Sequence, residues 1–299
     1  MTTKIGFIGL GAMGLPMSSN LQRKGFALTV FDLDEAKMDQ VVALGARKAA
    51  TIADASRCQD IVTTVLPATP HVEAVVLGSD GVLANIDAGA LLMDMSTIDA
   101  NGTDRVAAAC KAKGIGFVDS PIGRLALHAQ RGESLFMVGA DDADFARVEP
   151  ALNAMGTDIF RCGKPGMGSR MKVINNFMLL STAQIVAEAL TLGTKLGLDI
   201  QTMHDVTGNT TARNGQFHVL MVNKVLKGDI DPGFTVDLAF KDLTLAMTAA
   251  AECRVGLPMG AAAHAVFGGA RATEYATRDY SALLDYACEN AGIDPPRMA

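Results

Sequence analysis

At 299 residues the chain has room for two domains and a large core, and 49% hydrophobic against 19% charged residues mark it as globular rather than disordered. A net charge of −6 with scattered basic residues speaks against nucleic acid or an anionic membrane as partner.

The chain opens on a short apolar strand, Lys4 to Gly9, which runs into Gly9-Leu-Gly11-Ala12-Met13-Gly14 and then into a helical pattern from Leu15 to Lys24. The next strand, Leu28 to Asp32, ends in an acid 18 residues after Gly14. A glycine-rich turn between strand and helix lets the backbone approach a pyrophosphate at the helix N-terminus, and the acid suits the ribose hydroxyls of a dinucleotide. Asp32 would repel a 2′-phosphate, so NADH is expected over NADPH. The bland alternative is a tight turn without a ligand.

Helices and strands then alternate. Helical stretches are expected at Asp34–Leu44, Pro70–Leu77, Asn101–Lys113 and Asp144–Met155. Strands are expected at Asp60–Leu66, Ala90–Met95, Gly116–Asp119, Leu135–Gly139 and Asp158–Arg161. That rhythm predicts a doubly wound, mostly parallel α/β sheet with helices on both faces. Ligands bind beyond the strand C-termini in such sheets, which singles out Leu66-Pro67, Ser96-Thr97 and Ser120-Pro-Ile-Gly-Arg124. After Gly163-Lys-Pro-Gly166 the strand patterns stop. The remainder reads as all-α, with helices from about Ser169 to Leu196, then Ile200–Val206, Ala212–Val225, Val236–Glu252, Leu257–Thr273 and Ser281–Asn290. The expected domains are therefore 1–164 and 165–299.

The first long helix of that second part is apolar nearly all round, yet Lys172, Asn175 and Asn176 share one face near its start. A lysine in greasy surroundings is costly unless something polar meets it. It is either a frayed helix start with its lysine in water, or a partly buried lysine with two amides facing an inter-domain cleft. Phe177, Met178 and Leu179 follow as candidate lining of the same site. A later apolar run holds the charged pair Lys241-Asp242, read either as a surface salt bridge or as a second lysine reaching the cofactor. The five histidines show no triad or ligand spacing and read as structural. The five cysteines are far apart with no zinc spacing and no disulfide framework. No metal is expected. No apolar run is expected to reach the ~18–20 residues of a spanning helix without polar interruption. The N-terminus has no signal-peptide pattern. A reducing cytoplasm is the simplest compartment.

Five motifs in order resemble the β-hydroxyacid dehydrogenase family, which includes 3-hydroxyisobutyrate dehydrogenase: Gly9 to Gly14, Asp94-Met-Ser-Thr97, Asp119-Ser-Pro-Ile-Gly123, Gly166 to Asn176, and Lys241-Asp-Leu243. The resemblance covers the whole chain. It implies an N-terminal Rossmann domain, an all-helical second domain and a homodimer or homotetramer. It also implies Lys172 as catalytic residue, with Asn176 beside it on the substrate. Ala12, Met13, Asp32, Leu66, Thr97 and Lys241 fall where the family contacts NAD, together with Gly9, Gly11, Gly14 and Pro67. Ser120, Arg124 and Asn175 would face the substrate. Most relatives continue the Asp-x-Pro motif as Val-Ser-Gly-Gly, whereas this chain has Ile122-Gly123-Arg124-Leu125. With an arginine there the chain resembles the members of the family that act on a short aldehyde with a sulfonate tail, and that resemblance implies 3-sulfolactaldehyde over the carboxylate semialdehydes of 3-hydroxyisobutyrate, 4-hydroxybutyrate or tartronate metabolism. A nucleotide-sensing module without turnover is the rival from another class, and the Lys172 cluster speaks against it.

Overall fold

The computed structural model describes residues 2–298. Two compact units divide the chain, Met1–Lys172 and Val173–Ala299. The division falls inside one continuous helix, later than the expected boundary near 164.

The first unit is built on β1 (Lys4–Ile8), α1 (Gly14–Arg23), β2 (Ala27–Phe31), α2 (Glu35–Val42), β3 (Arg47–Lys48) and α3 (Ile52–Ser56). It continues with β4 (Ile61–Thr64), α4 (Thr69–Leu77), α5 (Val82–Asn85), β5 (Leu91–Asp94), α6 (Ala100–Ala112) and β6 (Gly116–Asp119). Then come β7 (Ile122–Gly123), α7 (Ala126–Arg131), β8 (Ser134–Gly139), α8 (Asp142–Met155), β9 (Gly156–Gly163) and the start of α9 (Met167–Lys195). The nine strands form one sheet in the order β3-β2-β1-β4-β5-β6-β8-β7, with β9 on β8. Pairing is parallel from β3 to β6 and between β8 and β9, and antiparallel where β8 meets β6 and β7.

Side chains alternate between the two faces of the sheet, as a period of two requires. Ile5, Phe7, Ile61, Leu91, Met93 and Val118 join one core with Met17, Leu21, Val148 and Leu152 from α1 and α8. Ile8, Val62, Leu92 and Phe117 join the other with Val72, Val76, Val106 and Cys110 from α4 and α6. The strand order reverses between β1 and β4, so the connections leaving these two paired strands part to opposite faces of the sheet, the kind of place where such sheets bind ligands. Gly9 lies just there. Its φ is +99°, and a Cβ would stand 2.3 Å from the Val65 carbonyl oxygen, so both conformation and space demand glycine.

The second unit is helical: the rest of α9, then α10 (Ile200–Gly208), α11 (Val236–Cys253), α12 (Pro258–Ala270) and α13 (Leu283–Asn290), linked by short 3₁₀ turns. Leu180, Ala183, Val186, Ala187 and Leu190 of α9 sit in its core with Phe217, Leu243, Phe267 and Leu284. Two expectations are corrected here. The helix expected over Ala212–Val225 is instead a π turn at Gln216–Leu220 followed by 3₁₀ turns at Met221–Asn223 and Val225–Lys227. The Asn214 side chain accepts the Phe217 N–H at 2.9 Å and so starts the segment late, and the backbone leaves the helical region at Lys224. Second, α9 is long and apolar enough, by length and composition alone, to cross a membrane. Half of its most apolar window is buried inside the protein, as for the central helix of a folded domain.

Candidate active site

The loops expected to hold a dinucleotide lie side by side along one edge of the sheet, because β2, β1, β4, β5 and β6 are parallel neighbours. Gly9 follows β1, Asp32 follows β2, Leu66-Pro67 follow β4, Ser96-Thr97 follow β5 and Ser120 follows β6. Asp32 ties the glycine loop to β2: its Oδ2 accepts the Leu10 N–H at 2.5 Å and its Oδ1 the Asp34 N–H at 2.8 Å. Each carboxylate oxygen has a further lone pair for a ribose hydroxyl.

The loop fits a diphosphate. No side chain caps the start of α1 at Met13, and its first turn holds no acid. A Cβ on Gly11 would meet nothing within 4 Å, so the outer face of the turn is open to a close approach. Gly14, by contrast, packs against its own loop, where a Cβ would stand 2.0 Å from the Gly9 oxygen.

Two buried acids that sequence reasoning assigned no role organise this edge. The carboxylate of Asp94 accepts from the Thr64 hydroxyl at 2.8 Å and the Ser96 hydroxyl at 2.6 Å. Ser96 Oγ in turn accepts the Leu66 N–H at 2.9 Å. Burial pushes the Asp94 carboxyl above its ordinary range. This chain of bonds holds the ends of β4 and β5, and with them Leu66, Pro67 and Thr97.

Asp119, fully buried at the end of β6, does the same for α9. Its Oδ1 accepts the Gly166 N–H and its Oδ2 the Ser169 N–H, each at 2.6 Å, which satisfies amides that a helix start leaves without partners. Burial pushes Asp119 up to about 6 against these bonds. Ser169 is fixed further by Thr103, hydroxyl to hydroxyl, at 3.1 Å. One turn along, Lys172 Nζ donates to the Ile122 carbonyl oxygen at 2.7 Å. The ammonium is therefore half-buried and held at the Ser120–Gly123 segment, not frayed into water. Ser120 is buried beside it in sequence, and its hydroxyl has no hydrogen-bond partner among the described residues.

Arg124 is placed otherwise than expected for a free anion reader. Its φ is +70°, and its guanidinium donates to the Glu133 carbonyl at 2.6 Å, Thr157 Oγ1 at 2.9 Å and Asp158 Oδ2 at 2.6 Å. Thr157 and then Arg124 hold the Asp158 carboxyl below the ordinary range. A substrate anion would compete with that ion pair. The pairing partner is on β9, far along the chain, so no local spacing could reveal it.

In the second unit, Asn175 and Asn176 continue α9. Asn175 Nδ2 donates to Asn176 Oδ1 at 2.9 Å, and Asn176 Nδ2 donates to Asp242 Oδ2 at 2.5 Å. Lys241 Nζ lies 2.9 Å from Asp242 Oδ1. The amides of α9 and the charged pair of α11, read separately in the sequence, thus form one cluster. Phe177 and Leu179 pack onto the core of this unit, while Met178 is exposed.

The chain is similar to known proteins along nearly its whole length. Residues 4–163 match the model for the NAD-binding domain of 6-phosphogluconate dehydrogenase, and residues 166–287 that for the NAD-binding region of NADP-dependent 3-hydroxyisobutyrate dehydrogenase. The chain is 39% identical over 97% of both sequences to the 3-sulfolactaldehyde reductase of Escherichia coli strain K12. It is 40% identical over 97% of this chain and 96% of the relative to the 2-(hydroxymethyl)glutarate dehydrogenase of Eubacterium barkeri. A solved 3-hydroxyisobutyrate dehydrogenase from Mycobacterium tuberculosis, with L-serine, superposes with a TM-score of 0.88 at 32% identity, covering 96% of this chain and 99% of that one.

Proposed function

We infer the function from the family: this chain belongs to the β-hydroxyacid dehydrogenases, the family of 3-hydroxyisobutyrate dehydrogenase, and is an oxidoreductase of CH–OH groups using a nicotinamide cofactor. Within it, we propose reduction of 3-sulfolactaldehyde to 2,3-dihydroxypropane-1-sulfonate in the cytoplasm, with NADH preferred. Bound NADH supplies the hydride. Lys172 donates a proton to the aldehyde oxygen as it becomes an alkoxide, and recovers it in the reverse direction. Asn176 donates a hydrogen bond to the same oxygen and Asn175 to the substrate hydroxyl or tail. Glycines 9, 11 and 14, with Ala12, Met13, Asp32, Leu66, Pro67, Thr97 and Lys241, hold the dinucleotide. Ser120, Arg124, Phe177 and Leu179 serve the substrate, while Met178, also expected there, stands exposed on the other side of α9.

The single observation that carries the chemistry is the Lys172 ammonium, held at 2.7 Å by the Ile122 carbonyl beside the orphan Ser120 hydroxyl. A half-buried ammonium held on the segment that also carries an unpartnered hydroxyl suits a polar, reacting oxygen. The sulfonate is supported by the similarity to 3-sulfolactaldehyde reductase. A carboxylate semialdehyde is the second reading. It is supported by the equal similarity to 2-(hydroxymethyl)glutarate dehydrogenase and by the engagement of Arg124 with Asp158.

Steady-state rates with NADH and NADPH on 3-sulfolactaldehyde, succinic semialdehyde and methylmalonate semialdehyde decide between them. The highest kcat/KM is expected for NADH with the sulfonate. A faster carboxylate substrate transfers the assignment to the second reading, and equal kcat/KM for the two cofactors removes the role given to Asp32.

A further inference from the structure

The buried stripe of α11 is Val236, Ala239, Asp242, Leu243, Ala246 and Ala250. One member is an acid, and a carboxylate in an apolar stripe is costly unless its partners repay the lost hydration. Asp242 is 3% exposed and has two partners, one per oxygen. Oδ2 accepts from Asn176 Nδ2 at 2.5 Å. Oδ1 faces the Lys241 ammonium at 2.9 Å without an aligned hydrogen bond, so that contact is an ion pair in which the lysine curls back on its neighbour.

We propose that Asp242 is a positioning residue of the active site, fixing the Asn176 amide in one sense and the Lys241 ammonium in one place. The inference rests on the roles given above to Asn176 and Lys241. An ionised carboxylate accepts and never donates, so the Asn176 atom facing it is Nδ2. The other end of that amide, Oδ1, accepts from the Asn175 side-chain Nδ2 at 2.9 Å. Both ends are thereby committed, and one amide hydrogen of Asn176 is left without a partner among the described residues. Asp242 makes Asn176 a donor of fixed direction, as needed for an oxygen gaining negative charge. The same carboxylate draws the Lys241 ammonium to 2.9 Å and so helps to set where its charge stands.

The test is a pair of double-mutant cycles on the full-length protein, with Asp242→Asn as the near-isosteric change. An asparagine can turn either end of its amide to Asn176, and it removes the negative charge that faces Lys241. At saturating NADH, kcat for 3-sulfolactaldehyde is expected to fall at least tenfold, and NADH affinity by fluorescence titration at least threefold. In the Asn176→Ala background the same change is expected to cost less than threefold in kcat. In the Lys241→Ala background it is expected to cost almost nothing in NADH affinity. Additive losses in both cycles overturn the proposal, as does a variant with wild-type kcat and affinity. Circular dichroism and the thermal midpoint of each variant identify losses that come from unfolding; if Asp242→Asn does not fold, Asp242→Glu replaces it in both cycles. The affinity cycle needs no aldehyde, so it stands if the sulfonate is the wrong substrate, and the kcat cycle then runs on succinic semialdehyde. Lys172→Ala separates the two levels. If that variant keeps its turnover, the proposed chemistry fails; if it is inactive while both cycles are additive, only the role of Asp242 fails.

Discussion

Lys172 donates to a backbone carbonyl, which orients its ammonium. Removing it should therefore remove a proton donor and little else. Lys172→Ala is expected to lower kcat by about 10²–10⁴-fold, the range for a lost general acid, with NADH affinity within about twofold of wild type. Stopped-flow reduction and NADH fluorescence measure the two, and a variant that keeps most of its turnover returns Lys172 to a structural role. Arg124 is a cation already paired with an acid. If its work is to read the substrate tail, Asp158 competes with the substrate, and Asp158→Asn should lower KM for an anionic aldehyde by about threefold or more. That is the scale of one partly exposed charge contact. KM for an uncharged aldehyde of similar size should not move. An unchanged KM with a lower thermal midpoint makes the Arg124–Asp158 pair a brace between the turn and β9.

At the scale of elements, the strands and α9 were legible in the sequence because their signals are local. Alternating apolar residues, glycine breaks and a run of 3.6-residue periodicity all lie within the segment they specify. The two-residue strands Arg47–Lys48 and Ile122–Gly123 were not, since each is defined only by its pairing, with Thr29 and Val30 and with Phe136 and Leu135. The anchoring acids were illegible for the same reason. Asp119 reads as a strand end, and only the register of the sheet brings it to the first amides of α9. That anchor has a consequence for pH. Asp119 is raised from 3.8 to about 6 in the folded protein, so between these values the folded state holds a proton that the unfolded chain has lost. Its contribution to stability therefore grows as pH falls through 6 and levels off below about 4, at ~1.4 kcal/mol per pH unit between. Asp119→Asn removes that slope. The stability of wild type minus variant, from urea unfolding, is expected to be about 1–2 kcal/mol more favourable at pH 5 than at pH 7. Asp94 is also raised but is present in both proteins and cancels. A difference that is flat with pH, or larger at pH 7, rules out Asp119 as the titrating group.

At the scale of the whole molecule, α9 has a second face. Met167, Met171, Ile174, Met178, Ile185 and Leu192 are all exposed, Met178 by 63% and Leu192 by 62%. Their spacing of three, four and seven residues places them on one stripe, about 37 Å long, on the side of the helix away from Lys172 and Asn176. They leave roughly 600 Å² of apolar surface uncovered, at the upper end of the largest patch on an ordinary monomer and most of the ~800 Å² that each partner contributes to a standard interface. A heptad stripe of this kind is self-complementary, so a second copy of the chain can cover it by packing α9 against its own counterpart. This is the physical basis for expecting a homodimer or a homotetramer built from dimers. Sedimentation velocity at micromolar concentration should give a dimer or larger species. Ile185→Glu combined with Leu192→Glu places two charges in the seam and should shift the protein to monomer while leaving its helical circular dichroism intact. Loss of both assembly and helicity would mean only that these side chains support the fold, and a wild type that sediments as a monomer at every concentration would leave the stripe without the partner expected for it.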